Sequence, residues 1–276
     1  MRDNGLWGVN FDGEPFEQLR REPCLVSTSL AEKLAQVESQ IAAACRAANR
    51  PRGEVELVAV SKTHPTSAIV EAVGMGIHLF GENRVQEFAA KSAQLAVSAH
   101  PGQTATVRSQ IQVHLIGHLQ SNKAARAVEV FDGIDTLDSV KLAERLNTAR
   151  AESVLRAGVP LPVLIEVKLS DEETKAGLTP DSAELAALLE RLPDLKHLNT
   201  QGLMTIAPLD VPEAETRACF RKLRQLRDQL SARHPRLNLP VLSMGMSGDF
   251  PLAIAEGATR VRIGTAIFGS RAEYAQ

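Results

Sequence analysis

Aromatic side chains are scarce: phenylalanine, tryptophan and tyrosine make up 4% of the 276 residues, with one Trp and one Tyr. So few rings leave little for nucleobases to stack on, which argues against a single-strand nucleic-acid binder. Charge of one sign is missing too, since 31 basic and 33 acidic residues leave a net charge of −2. That balance removes the electrostatic footprint of a nucleic-acid partner. Cysteine is limited to Cys24, Cys45 and Cys219, far apart and odd in number, so no disulfide framework or thiolate metal site is suggested by their spacing. No apolar run approaches the ~20 residues that cross a bilayer. The first residues lack the apolar core of a secretory leader. The expectation is a soluble, cytoplasmic protein with reduced thiols.

Within an ordinary composition of 44% hydrophobic and 23% charged residues, one stretch stands out. Leu57-Val58-Ala59-Val60 runs straight into Ser61-Lys62-Thr63, with Pro51 and Gly53 before it and Pro65 after it. A short apolar run between such breakers reads as a strand buried on both faces, with Lys62 at its carboxyl end. Parallel α/β folds place ligands there. The plainer alternative is a lysine whose stem packs over the strand end while its ammonium stays in water.

The remainder repeats a strand–helix rhythm. Leu30, Leu34, Val37 and Ile41 recur at helical spacing, with Ser27, Thr28 or Ser29 to cap a helix placed before the first strand. Further strands are expected at Ile77–Phe80, Val113–Ile116, Gly133–Leu137, Pro162–Leu169, Gly202–Thr205, Val241–Met244 and Val261–Gly264. Helices are expected between them, among them one capped by Asp138, one begun at Thr179-Pro180 and a long one over Glu213–Arg233. Residues 1–27 read as an extension, 28–271 as the main domain and 272–276 as a tail, and residues 100–110 as a surface insertion. Strict alternation in a chain of this length predicts a single (β/α)8 TIM barrel. A doubly wound sheet is second, since Lys62-Thr63-His64-Pro65 occupies the turn where a Gly-x-Gly-x-x-Gly would stand.

Chemistry should then gather at strand ends. Gly245-Met246-Ser247-Gly248-Asp249 follows strand seven and Gly264-Thr265 follows strand eight. Backbone amides of two small-residue loops, side by side at a barrel mouth, suit a phosphate. A phosphate cradle opposite a lysine fits either a Schiff-base aldolase acting on a phosphorylated sugar or pyridoxal 5′-phosphate (PLP). Arg262 favours PLP if it points inward, because a permanently charged guanidinium facing the pyridine nitrogen keeps that nitrogen unprotonated. It sits at the same strand parity as Arg260, which leaves its direction open. His64, His78, His114 and His118 lie near strand ends. The sequence places no carboxylate beside them to complete a zinc set, so they read as packing or pocket residues.

These same segments carry a resemblance. Val58–Thr63, Phe80-Gly81-Glu82-Asn83-Arg84-Val85-Gln86-Glu87, His114–Lys123, Gly202–Thr205, Leu242–Asp249 and Val261–Thr265 resemble, in order and spacing, the PLP homeostasis protein family. The resemblance spans residues 29–271. It implies a barrel like the amino-terminal domain of alanine racemase. It also implies PLP as an internal aldimine on Lys62, with Ser247, Gly264 and Thr265 at the phosphate, Arg262 near the ring nitrogen, and Asn83, Met204 and Ser243 lining the pocket. Members regulate PLP supply without an established turnover reaction, so a PLP carrier is expected, with PLP-dependent apo-enzymes as acceptors and a monomeric state. A racemase or lyase of low activity is the alternative. The one tyrosine, Tyr274, and the lack of a following β domain argue against two-base racemisation, leaving a one-base reaction through Lys62. Lys123, Lys168 and Lys175 stand as candidates for holding PLP transiently, or as solvated charges.

Overall fold

β1 (Glu56–Val60) alternates in what it buries: Leu57 and Ala59 join the apolar layer beneath the helices, while Val58 and Val60 turn into the lumen. The same division recurs around the molecule because each strand is covered on both faces. The computed structural model describes residues 29–98, 105–170, 172 and 176–269. The expected extension and tail, and residues 100–104 of the expected insertion, lie outside them.

After β1 come β2 (Leu79–Glu82), β3 (Gln112–Leu115), β4 (Gly133–Leu137), β5 (Leu161–Glu166), β6 (Leu198–Met204), β7 (Val241–Ser243) and β8 (Arg260–Ile263). They pair in parallel, in sequence order, and close into a barrel. The seam joins β1 to β8 with Val58 opposite Arg262. The expected (β/α)8 barrel is the observed fold.

Helix α1 (Leu30–Ala47) precedes the barrel, and Ser29 caps it in a reciprocal capping box with Glu32. Its buried stripe of Leu30, Leu34, Val37, Ile41 and Cys45 packs toward α8 (Phe250–Ala255) and α9 (Thr265–Phe268). Arg50, just beyond α1, donates to the carbonyls of Ile254 (2.9 Å) and Ala258 (2.8 Å) and so fixes that corner. The intervening helices are α2 (Thr66–Gly74), α3 (Val85–Leu95), α4 (Ala124–Val130), α5 (Val140–Glu152), α6 (Ala183–Arg191) and α7 (Glu213–Arg233). Two expected starts are corrected. The cap of α5 is Ser139, whose hydroxyl accepts from the Leu142 N–H, and not Asp138. The cap of α6 is Ser182, which accepts from the Leu185 N–H, so Thr179-Pro180 forms a turn before the helix rather than its first turn.

The lumen carries charge. At its amino-terminal end Arg260 pairs with Glu56 (2.7 Å), and His114 bonds to Asp135 (2.8 Å), which Arg260 also approaches at 3.6 Å. Arg262 occupies the next level toward the carboxyl-terminal mouth, and Gly133 leaves the space that the His114 ring fills.

Candidate functional site

Lys62 stands two residues beyond β1, half-buried, in the turn that leads into α2. Thr63 adopts a left-handed conformation (φ 68°), which turns the chain sharply away from the strand direction. Lys62 therefore sits at the carboxyl-terminal mouth, as its sequence position implies.

Arg262 points into the lumen. One terminal nitrogen donates to the Ser243 hydroxyl (2.8 Å) and the other to the Thr205 carbonyl (2.9 Å). Arg260 faces inward as well, so their shared parity does not send Arg262 outward. It places two cations at successive levels of one lumen. Burial pulls the Arg262 guanidinium below the usual arginine range, while Asp135, Asp249 and Glu166 oppose that pull. Met204 is fully buried between Glu166 and Ser243 in the register of β5, β6 and β7. Arg262, Ser243 and Met204 thus come together beneath the mouth.

The exits of β7 and β8 lie side by side. The Ala266 N–H donates to the Ser247 hydroxyl (3.4 Å), linking the two small-residue loops directly. Gly245 has φ 93°, and a Cβ there would stand 2.6 Å from Ala253 Cβ and 2.9 Å from Phe250 Cα. Only glycine lets that loop fold onto the start of α8. Gly264 lies against the adjoining strand β1, where a Cβ would meet Val60 at 3.2 Å. Ser247, Gly264 and Thr265 are therefore grouped, with Thr265 opening α9 and Gly264 beside the end of β1. The first N–H groups of a helix have no helical acceptor, so this grouping favours an anion.

Asn83 follows β2, the strand next to β1 on the side away from β8. It lines a cavity of about 290 Å³ together with Ile116, His118, Glu166, Lys168 and Ser170. Gly117 permits the closeness of the β2 and β3 exits, because a Cβ there would lie 2.5 Å from the Asn83 carbonyl oxygen. Glu166 is the residue that sequence reasoning missed. It is buried, its Oε2 has no hydrogen-bond partner, and burial together with the Asp138 charge raises its pKa to about 7 against the pull of Arg262. A signal existed: it is the one acid in the strand Leu161–Glu166 and falls at its carboxyl end. Asp135 was missed in the same way within β4.

The histidines divide. His64 packs against Phe268, with ring centroids 5.2 Å apart. Carboxylates stand beside two others: Asp135 next to His114, and Asp138 next to His118 at 3.2 Å. Strand pairing brings these together from distant parts of the chain, which spacing along the sequence does not reveal. Among the described residues no three metal-ligating side chains converge. Lys168 lines the cavity and Lys123 ends a short 3₁₀ turn outside it, while Lys175 and Tyr274 lie outside the described residues.

Residues 33–272 match the model of the alanine racemase N-terminal domain. The pyridoxal phosphate homeostasis protein of Haemophilus influenzae is 41% identical over 244 residues, covering 88% of this chain and 96% of that protein. Its counterpart in Escherichia coli K12 is 41% identical over 245 residues, covering 88% and 97%. This chain belongs to that family. A solved structure of another protein, PipY of Synechococcus elongatus, has PLP bound. It is 44% identical and superposes with a TM-score of 0.73 over 87% of this chain and all of that one. Alanine racemase of Clostridium difficile shares the fold at 14% identity, with a TM-score of 0.62. The matched residues 33–272 include the strand exits just described, with Lys62 after β1, Asn83 after β2, and Ser247 and Gly264 at the β7 and β8 loops.

Proposed function

We propose that this protein binds PLP through Lys62 and acts as a carrier or buffer of the cofactor in the cytoplasm, without steady turnover of an amino acid. The observation that carries this reading is the inward Arg262, fixed by Ser243 and Thr205 beneath the mouth that Lys62 overlooks. When bound, PLP supplies an aldehyde that links to amines and a ring that draws electrons from them. The residues fit such a group. Lys62 presents the amine, and Ser247, Gly264 and Thr265 offer a hydroxyl and backbone donors to a phosphate. Arg262 retains N–H donors beyond the two used on the protein. Its charge leaves a facing ring nitrogen unprotonated, which weakens the electron sink that carbanion chemistry requires. Ser243, bonded to Arg262, and Met204 beside it in the strand register are proposed to meet the ring, with Asn83 at the exit of β2. The PLP held in the PipY structure at 44% identity supports the cofactor, and the names of the relatives support the regulatory role.

PLP-dependent apo-enzymes are the proposed acceptors, and the protein is proposed to act as a monomer. The test is to mix PLP-loaded protein with an apo-aminotransferase and follow recovery of its activity, alongside an assay for racemisation or loss of L-alanine. Faster recovery than with an equal amount of free PLP, and no turnover of alanine, is expected. Steady turnover of alanine, or recovery no faster than with free PLP, would overturn the carrier reading. Light scattering on the eluted protein checks the monomer.

A further inference from the structure

Lys62 is held by its neighbours rather than by its own strand. Ser61 donates from its hydroxyl to Glu82 Oε1 at 2.7 Å, and the Ser61 carbonyl accepts from Lys91 Nζ at 3.1 Å. On the other side of Lys62, the Thr63 N–H donates to Glu87 Oε1 at 2.9 Å. Lys91 joins these anchors, standing 2.8 Å from Glu82 and 3.1 Å from Glu87. Glu82 is fully buried, Lys91 is 8% exposed, and Glu87 lies one helical turn before Lys91 on α3. A buried lysine–carboxylate pair is costly unless its groups are bonded. Glu82 Oε1 and Lys91 bond to Ser61, and the partly exposed Glu87 bonds to Thr63, the two residues that flank Lys62, while Glu82 Oε2 is left without a partner.

We propose that Glu82, Glu87 and Lys91 form a clamp that fixes the Ser61–Thr63 peptide, and are thereby positioning residues for the Lys62 amine. The inference rests on the reading of Lys62 as the attachment point of PLP. The clamp grips both sides of Lys62, from the end of β2 through Glu82 and from α3 through Glu87 and Lys91. It holds Thr63 in its left-handed turn, from which an unanchored threonine would relax. The Lys62 backbone is thereby fixed, which narrows the region of the mouth its amine can reach.

The experiment compares Glu87→Ala, Glu87→Gln and Lys91→Met with the wild type, all as full-length protein freed of cofactor and then given PLP. Three quantities are read: the rate at which the visible band appears, the pH midpoint of that band, and the melting temperature. Borohydride reduction and peptide mapping identify the lysine modified. Glu87→Ala removes the acceptor of the Thr63 N–H at a partly exposed position, so it should slow capture about tenfold and shift the pH midpoint. Glu87→Gln keeps an oxygen for Thr63 and should recover most of the rate. Lys91→Met should be slowed at least as much as Glu87→Ala. Capture by Glu87→Ala at the wild-type rate and pH midpoint would overturn the clamp, as would rates that follow melting temperature rather than loss of the Thr63 acceptor. If the wild type itself takes no pyridoxyl group on Lys62, the underlying reading of Lys62 falls first.

Discussion

The single most consequential side chain after Lys62 is Arg262, because three carboxylates, Asp135, Asp249 and Glu166, are arranged around its charge. Arg262→Ala leaves Asp249 and Glu166 without that cation, while Asp135 keeps His114 at 2.8 Å and Arg260 at 3.6 Å, and should destabilise the fold by about 3–5 kcal/mol in urea titrations. Arg262→Lys keeps the charge but cannot bond Ser243 and Thr205 together, so it should lose less. Glu166 makes a pH-dependent prediction. Its folded pKa, about 7, lies above the ordinary 4.5, so the folded state holds its proton more tightly than the unfolded chain does. The resulting stability is complete below pH 4.5 and is lost as pH rises through 7. In PLP-free protein, the stability of Glu166→Gln relative to wild type should therefore climb between those limits, by about 3 kcal/mol at most. A difference that does not change with pH would contradict this origin for the shift. The positions of Lys62 and Arg262 were legible in the sequence, since each lies at the end of a recognisable strand. The direction of Arg262 was not, because parity says which residues share a face and not which face is the lumen.

Elements were legible where local chemistry decides them. α1 announces itself through its apolar stripe and the hydroxyl residues Ser27, Thr28 and Ser29 before it, of which Ser29 is the cap, and Ser29→Ala should cost about 1 kcal/mol of stability, read by thermal unfolding. The starts of α5 and α6 differ from expectation because two nearby candidates compete at each. Asp138 and Ser139 both suit a cap, and so do Thr179 and Ser182; in each case the serine nearer the helix accepts from its third N–H. Gly202 shows what a single strand position demands. It lies in β6 opposite Val241, and a Cβ there would fall 1.9 Å from the Val241 carbonyl oxygen. β6 also changes register against β5 just before it, between Val163 and Leu164. Gly202→Ala should therefore separate β6 from β7 and cost about 3 kcal/mol, measured by urea unfolding. A melting temperature equal to wild type would show that the seam yields without penalty.

At the scale of the whole molecule, the barrel was readable because eight short apolar runs alternate with helical patterns, and a closed parallel barrel accommodates that rhythm in this length. The polar contacts in and around it were not readable. Glu56 with Arg260, His114 with Asp135, and Glu82 with Lys91 are partners that only strand closure and helix packing bring together. Those pairs surround the two residues on which the functional reading depends, so barrel geometry links the motif at Lys62 to the motif at Arg262. The most direct test of that reading is to add PLP to the cofactor-free protein, record the visible spectrum, reduce with borohydride and map the modified peptide. A yellow band and a pyridoxyl group on the peptide containing Lys62 are expected, both absent from Lys62→Ala. A protein that stays colourless with excess PLP, or carries the adduct on another lysine with Lys62 unmodified, would contradict it.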